Sequence, residues 1–193
     1  MTTNPPSIPI PRLTPGDPDL RPVHPADAPD LFAIIERDRD YLRQYQNWPD
    51  YMNTLRDVRE LIGRAQNRLQ HDNGFDLAIR HQGQVVGKVG LVYINWENLS
   101  TEIGYWLAQD AQGQGLITRS CRVLTRYAFV DRKLKRVLIR CAAENVRSRA
   151  VAERLGFVLH GMIEPKIWLH GKRADETLYV MDVARWQKQQ TGE

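Results

Sequence analysis

Cysteine is scarce in this chain: two among 193 residues, Cys121 and Cys141. Neither has a histidine at metal-ligand spacing or a His/Asp partner nearby in sequence, which argues against a zinc site and against a cysteine nucleophile. Both are expected to be buried small hydrophobes, without a disulfide between them. No apolar run reaches 18 residues, which excludes a membrane-spanning helix. A basic segment followed by an apolar stretch, the mark of a secretory leader, is missing at the start, so the expected setting is the cytoplasm. Charge of one sign is not in large excess either, with 27 Lys and Arg against 23 Asp and Glu and a net charge of +4. The basic residues are dispersed, and no nucleic-acid motif or aromatic interleaving accompanies them. Their densest cluster, Arg132-Lys133-Leu134-Lys135-Arg136, falls at the end of an expected helix, where cations suit the helix dipole. Direct nucleic-acid readout is therefore not expected, and an acidic ligand or protein explains the balance equally well.

What is present fits one domain with a sizeable core: 42% hydrophobic and 26% charged residues, with no internal repeat. Six prolines between Pro5 and Pro18 make residues 1–19 a tail. The domain is expected over 20–186, followed by a polar tail over 187–193. Leu20 to Val23 reads as an edge strand because Pro22 interrupts it. Helices are expected over 27–37 and 54–70, the second from apolar residues at Leu55, Val58, Leu61, Ile62, Ala65 and Leu69. An aromatic-rich connection or short helix lies between them. Strands 75–79 and 85–94 flank a turn at Gly83. A third strand, 101–107, follows, then a helix over 114–130 with Ile117, Cys121, Leu124 and Ala128 inward and Arg119, Arg122 and Arg126 outward. The short strand 137–141 is parallel to 101–107, because a helix connects them. A helix over 145–155 and strands 157–163 and 177–183 complete the order βααβββαβαββ, an α/β class.

The most informative stretch is Thr101-Glu102-Ile103-Gly104-Tyr105-Trp106-Leu107, then Ala108 to Ala111, then Gln112-Gly113-Gln114-Gly115-Leu116-Ile117-Thr118. It reads as strand, glycine loop and helix start. Glycines let backbone approach an anion, and the first helical turn leaves N–H groups unpaired at the positive end of the dipole. The dinucleotide pattern G-x-G-x-x-G fails because Thr118 stands where the third glycine belongs, and no Gly-Lys-Ser/Thr follows for a Walker loop. Taken alone, the loop also reads as an ordinary strand-to-helix connection. Downstream, Asn145-Val146-Arg147-Ser148 opens a second helix that ends in Leu155-Gly156-Phe157.

These two motifs, about 30 residues apart on successive strand–helix units, together with Gln46-Asn47-Trp48-Pro49, resemble the GCN5-related N-acetyltransferase (GNAT) superfamily, and within it the RimJ/RimL type that acetylates N-termini of ribosomal proteins. The resemblance covers roughly residues 20–183. It implies a mixed, mostly antiparallel sheet with a central splayed parallel pair flanked by helices, acetyl-CoA as donor, no metal, and a homodimer. Its implied cofactor contacts are the backbone of Gln112, Gly113, Gln114, Gly115, Leu116, Ile117 and Thr118 for the pyrophosphate, and Trp106, Leu107, Ala108 and Asn145 for the pantetheine arm. The tyrosine that protonates the departing thiolate in many relatives is replaced by Ala152, and Ser148, one turn earlier, takes that role in RimL-like proteins. Glu102 is implied as general base, and equally reads as a loop anchor. The glutamate assigned as base in RimL-like enzymes falls here on Ile167, with Glu164 nearby but out of register. Tyr45 and Trp48, with Tyr51, are implied as walls of the acceptor cleft, although aromatics in a loop more often read as satellite core. Arg119, Arg147 or Arg149 could reach the 3′-phosphate, and each also reads as a surface arginine.

Asn145 reads independently as a helix N-cap, and Ser148 as an ordinary first-turn polar residue. An α-amine of pKa about 8 needs only about 1.4 kcal/mol to be neutral at pH 7, against roughly 4.6 for a lysine near 10.4. A weak base thus suffices for protein N-termini. The leading expectation is acetyl transfer to such an N-terminus by direct attack in a ternary complex. Acetylation of a small amine such as a polyamine, aminoglycoside or amino-acid derivative, and a non-catalytic CoA-binding regulator, stay open.

Overall fold

Among the described residues, seven strands form one sheet in the order β1-β2-β3-β4-β5-β7-β6. They are β1 (Asp19–Pro22), β2 (Phe75–His81), β3 (Gln84–Asn95), β4 (Ser100–Leu107), β5 (Arg136–Ala142), β6 (Val158–Leu169) and β7 (Lys172–Asp182). The helices that accompany them are α1 (Ala28–Arg37), α2 (Arg39–Leu42), α3 (Leu55–Gln70), α4 (Leu116–Arg126), α5 (Val146–Arg154) and α6 (Val183–Thr191). The structure is a computed structural model that describes residues 10, 11, 13–15, 17–170 and 172–192, with backbone alone for 164–168, 172 and 173. Most of the expected proline-rich tail lies outside the described residues.

Pro22 closes β1 at the sheet edge, where a missing N–H costs no ladder bond. The β2–β3 hairpin turns on two residues, Gln82 and Gly83, both at positive φ, the pattern that matches strand twist. Helix α3 starts on a capping box in which Thr54 accepts from the Asp57 N–H and the Asp57 carboxylate accepts from the Thr54 N–H. Its buried stripe is Val58, Ile62 and Ala65.

Every strand pairing among the described residues is antiparallel except β4 with β5. That parallel ladder covers Ser100↔Arg136, Thr101↔Val137 and Glu102↔Leu138 and then stops. Beyond it β4 stays paired with β3 out to Leu107, and β5 stays paired with β7 out to Ala142. The two strands therefore diverge, and a wedge opens in the middle of the sheet.

Register assigns the side chains around the wedge to two faces, because paired residues share a face and neighbours alternate. Asp76, Lys88, Glu102, Trp106, Arg140 and Glu176 fall on one face. Phe75, Leu77, Val89, Ile103, Tyr105, Ile139, Cys141 and Tyr179 fall on the other. Helices α1 and α3 pack on each other and on β3 and β2, α4 packs on β3 and β4, and α5 lies beside β5. The fully buried cluster includes Leu31, Ile35, Val58 and Ile62 from α1 and α3, and Cys121 and Leu124 from α4. Among the described residues no helix is long and apolar enough to cross a membrane.

Four sequence expectations change. Helix α4 begins at Leu116 rather than Gln114, because Gly115 stands at φ +70°, ψ 8°, a left-handed conformation that cannot continue a helix. The residue it buries in its first turn is Leu116, while Ile117 is only partly buried. The closing strands, expected over 157–163 and 177–183, run instead over Val158–Leu169 and Lys172–Asp182, while the aromatic connection holds the expected short helix, α2, with a 3-10 turn over Trp48–Tyr51. The polar tail expected over 187–193 is instead largely helix: α6 runs to Thr191, capped by the Asp182 carboxylate on the Arg185 N–H and docked through Trp186, whose ring lies 5.5 Å from that of Phe129.

Candidate active site

The wedge continues into a cleft of about 1270 Å3 lined from both sides of the sheet. At one end is the glycine loop. Gly113 and Gly115 stand at φ +77° and +70°, and a Cβ added at either would meet nothing within 4 Å, so the backbone there is open to an approaching group. The start of α4 has neither a capping side chain nor an acidic residue in its first turn. Its N–H groups and dipole are left for an anion. Gln112 presents a buried side-chain Nε2 with no partner among the described residues, while its Oε1 accepts from Arg147 Nη1 at 2.7 Å. Thr118 Oγ1 accepts from Arg154 Nη1 at 2.9 Å, which leaves the hydroxyl hydrogen available. The two arginines bring positive charge to both ends of the loop. Open glycines, an uncapped helix start and an orphaned amide donor fit the diphosphate of a coenzyme A molecule.

The other predicted cofactor residues divide. Trp106, Leu107, Gly113, Gly115, Leu116, Ile117, Thr118, Gln112, Asn145 and Ser148 line the cleft, and Ala108 and Gln114 are not among its lining. Ala108 is buried, its N–H donates to the Val86 carbonyl at 2.8 Å and its carbonyl accepts from the Ala111 N–H at 3.2 Å. Its N–H is therefore committed to the sheet and not to a ligand. Of the three arginines proposed for the 3′-phosphate, Arg147 is the one bound to the loop. Arg149 is instead engaged by the Tyr179 hydroxyl at 3.1 Å and the Ala143 carbonyl at 3.2 Å, and Arg119 is exposed on α4.

At the start of α5, Asn145 is the N-cap, accepting from the Ser148 N–H at 3.1 Å. Ser148 Oγ lies 2.8 Å from the Tyr105 hydroxyl of β4. Sequence reading did not find Tyr105. The signal was available, since a residue three beyond Glu102 on a strand must face the opposite side of the sheet, toward α4 and α5.

On the opposite face, Glu102 is 16% exposed and pairs with Arg140, Oε2 to Nε 2.8 Å. Burial raises its pKa above the ordinary carboxylate value, Arg140 opposes this, and Glu176 adds to it. Burial also raises Glu176, again opposed by Arg140. Arg140 is thus ion-paired with Glu102, with the Glu176 carboxylate close enough to act on both electrostatically. Asp76, only 6% exposed, is held by Arg68 at 2.9 Å and Lys88 at 2.8 Å on the same face. The wall is aromatic: the Trp48 and Trp106 rings lie 5.5 Å apart at 37°, with Tyr41 and Tyr45 beside them. Tyr51 is 70% exposed and is not part of the lining. The side chains of Glu164 and Ile167 lie outside the described residues. Arg68, Asp76, Lys88, Arg140 and Glu176 were also not anticipated, because the four strand residues join the site through register and Arg68 through the packing of α3 on β2, rather than through a local motif.

Cys121 is fully buried, and burial raises its thiol pKa. Cys141 is buried beside Thr177, with Sγ 3.4 Å from Oγ1. These surroundings give neither thiol a base. Among the described residues no group of three or more His, Cys, Asp or Glu could hold a metal ion.

Comparison with known proteins agrees with this geometry. Residues 19–158 match the family described as an acetyltransferase (GNAT) domain. YdaF, a candidate ribosomal N-acetyltransferase of Bacillus subtilis (strain 168), is 31% identical over 169 residues, 87% of this chain and 92% of the relative. The ribosomal-protein-serine acetyltransferase of Escherichia coli (strain K12) is 30% identical over 151 residues, 77% of this chain and 83% of the relative. A solved structure of RimL, a ribosomal L7/L12 alpha-N-protein acetyltransferase in complex with coenzyme A, superposes with a TM-score of 0.84 at 25% identity, covering 88% of this chain and 96% of that one. The anion-ready loop, the splayed strands and these matches lead to one conclusion: the chain belongs to the GNAT acetyltransferase family and is an N-acetyltransferase.

Proposed function

We propose that this enzyme takes acetyl-CoA as donor and acetylates the N-terminal amine of a protein, a ribosomal protein being the leading candidate. The observation that carries the reading is the wedge beyond Glu102 and Leu138, flanked by an open anion-binding loop on one side and by a half-buried carboxylate on the other. Relatives named for ribosomal-protein acetylation, at about a third of residues identical, favour that acceptor.

Acetyl-CoA supplies the thioester. Backbone N–H groups of residues 113–118, aided by Gln112 and the Arg147 and Arg154 charges, hold its diphosphate, and the unpaired edges of β4 and β5 hold the arm that leads into the wedge. Trp48, Trp106 and Tyr45 wall the acceptor and keep water from it. Glu102 receives a proton from the incoming amine, directly or through a water. The amine nitrogen then bonds the carbonyl carbon, the carbon–sulfur bond breaks, and the electron pair leaves with sulfur. On forming the new bond the nitrogen loses a second proton to water, while Ser148 gives its hydroxyl proton to the sulfur and is reprotonated from solvent; from an ammonium acceptor, two protons thus leave nitrogen, one is gained by sulfur and one is released. An α-amine needs only about 1.4 kcal/mol to be neutral at pH 7, so a carboxyl held partly in check by Arg140 is sufficient. The reading includes the homodimer and the cytoplasmic setting implied by the resemblance.

Mixing the protein with acetyl-CoA and a panel of peptides with free N-termini, the same peptides blocked at the N-terminus, and small amines, while following free thiol, tests the proposal. Thiol release with free peptides alone supports it. Release with small amines alone points to a small-molecule acceptor, and saturable CoA binding without release points to a regulator.

A further inference from the structure

We infer that Tyr105 is a positioning residue for acetyl transfer: its phenol donates a hydrogen bond to Ser148 Oγ and so turns the serine hydroxyl hydrogen toward the leaving sulfur. The inference rests on the proposed role of Ser148 and adds to it a residue from another element, β4, on the far side of the wedge from α5. Ser148 has its backbone fixed by Asn145, which accepts from its N–H at 3.1 Å. Its hydroxyl is otherwise a rotor, and the fold sets the Tyr105 oxygen 2.8 Å from it.

The phenol has a single hydrogen and two acceptors within reach, Ser148 Oγ at 2.8 Å and the Ser148 carbonyl at 3.3 Å. The shorter contact is the stronger. A phenol, with pKa near 10, is also a better donor than an aliphatic hydroxyl, and the aliphatic oxygen the better acceptor. Donation from tyrosine to serine commits one serine lone pair and leaves its hydrogen for sulfur, and a chain of two such bonds strengthens each. Burial first of all, opposed by the Ser148 hydrogen bond, raises the phenol's pKa well above its ordinary value. Tyr105 is then neutral throughout the working range and holds the serine without itself giving up the proton. Register also explains how it gets there: Tyr105 pairs with Val89 and falls on the face opposite Glu102 and Trp106, so acid and base come from one side of the wedge each and act from opposite faces of the sheet.

The test is a double-mutant cycle on the full chain with acetyl-CoA and an acetylatable peptide. Tyr105→Phe removes one hydroxyl and keeps the ring. It is expected to lower kcat about fivefold to tenfold, the scale of one hydrogen bond, with the acetyl-CoA Kd unchanged. In a Ser148→Ala background the same change is expected to have no further effect. If Tyr105→Phe leaves kcat unchanged or raises it, the phenol is accepting from serine or idle, and the inference fails. Equal losses in both backgrounds would also overturn it. If Ser148→Ala itself is silent, the proposed role of serine fails first, which is a different result. Should Tyr105→Phe not fold, carbon-13 labelling of tyrosine Cζ in the unaltered chain decides. The Tyr105 resonance must move when Ser148 is replaced by Ala, and a fixed resonance removes the hydrogen bond on which the inference stands.

Discussion

Replacing Gly115 separates the anion-binding property of the loop from the stability of the fold. Gly115 stands at φ +70°, and a Cβ added there would have no atom within 4 Å, so Gly115→Ala meets strain but no clash. The left-handed conformation costs about 1–2 kcal/mol for an L-residue. Loss of glycine's unfolded-state entropy returns about 0.4–1 kcal/mol, so the net loss is about 1 kcal/mol. For a chain of this length that lowers Tm by about 2–4 °C. Gly115→Glu carries the same strain, but its carboxylate at the start of α4 interacts favourably with the helix dipole, by about 0.3–1 kcal/mol. It should therefore fold at least as well as the alanine variant. Its charge, however, occupies the place of a diphosphate. Thermal unfolding with and without CoA reads both effects. At a hundredfold excess over Kd, CoA adds about 2.7 kcal/mol, a rise of about 5–10 °C, to the unaltered protein. The alanine variant should keep most of that rise and the glutamate variant should lose it. An undiminished CoA-dependent rise in Gly115→Glu would mean that the loop does not hold the diphosphate.

Other perturbations address the remaining groups. Ser148→Ala should lower kcat about tenfold with little change in acetyl-CoA Kd, measured by stopped thiol assays and calorimetry. Glu102→Gln should lower kcat/KM for a peptide about 10²-fold at pH 7, with the deficit shrinking toward pH 9 as the α-amine, of pKa about 8, loses its proton unaided. A deficit that is flat with pH assigns Glu102 to holding Arg140 instead. Asp38 is 6% exposed, and its pKa is lowered first by its hydrogen bond to Arg37, with the Gln109 N–H donating a further bond at 2.8 Å. A depressed carboxyl contributes stability that is present above the unfolded pKa of about 3.9 and lost as pH falls through the folded value. Asp38→Asn should cost about 1–2 kcal/mol at pH 7, and its acid denaturation curve should be shallower than that of the unaltered chain below about pH 4.

Local pattern made much of the fold legible. Helical spacing from Leu55 to Leu69 located α3, and Pro22 marked β1 as an edge. The glycine loop was legible because glycine at positive φ is a backbone demand that no other residue meets as cheaply. Helix α6 was missed because residues 187–193 are polar, while its anchorage comes from Val183, Trp186 and the Asp182 cap. At the site, residues in one run, such as Asn145 to Ser148, were found together. Tyr105 with Ser148, and Glu102 with Arg140 and Glu176, were not, since their meetings depend on which strands pair, in what register, and where α5 packs on the sheet. Sequence distance says nothing of that until the sheet is assembled.

Only three paired positions join β4 to β5, against seven between β5 and β7. The molecule thus consists of two leaves on a short spine, β1 to β4 with their helices and β5 to β7 with α5. In the proposed function, the acetyl-CoA arm lying between the diverging edges would supply the missing rungs. On the proposed reading, binding there couples to the stability of the sheet, and amides flanking the gap should exchange with solvent more slowly whenever it is filled.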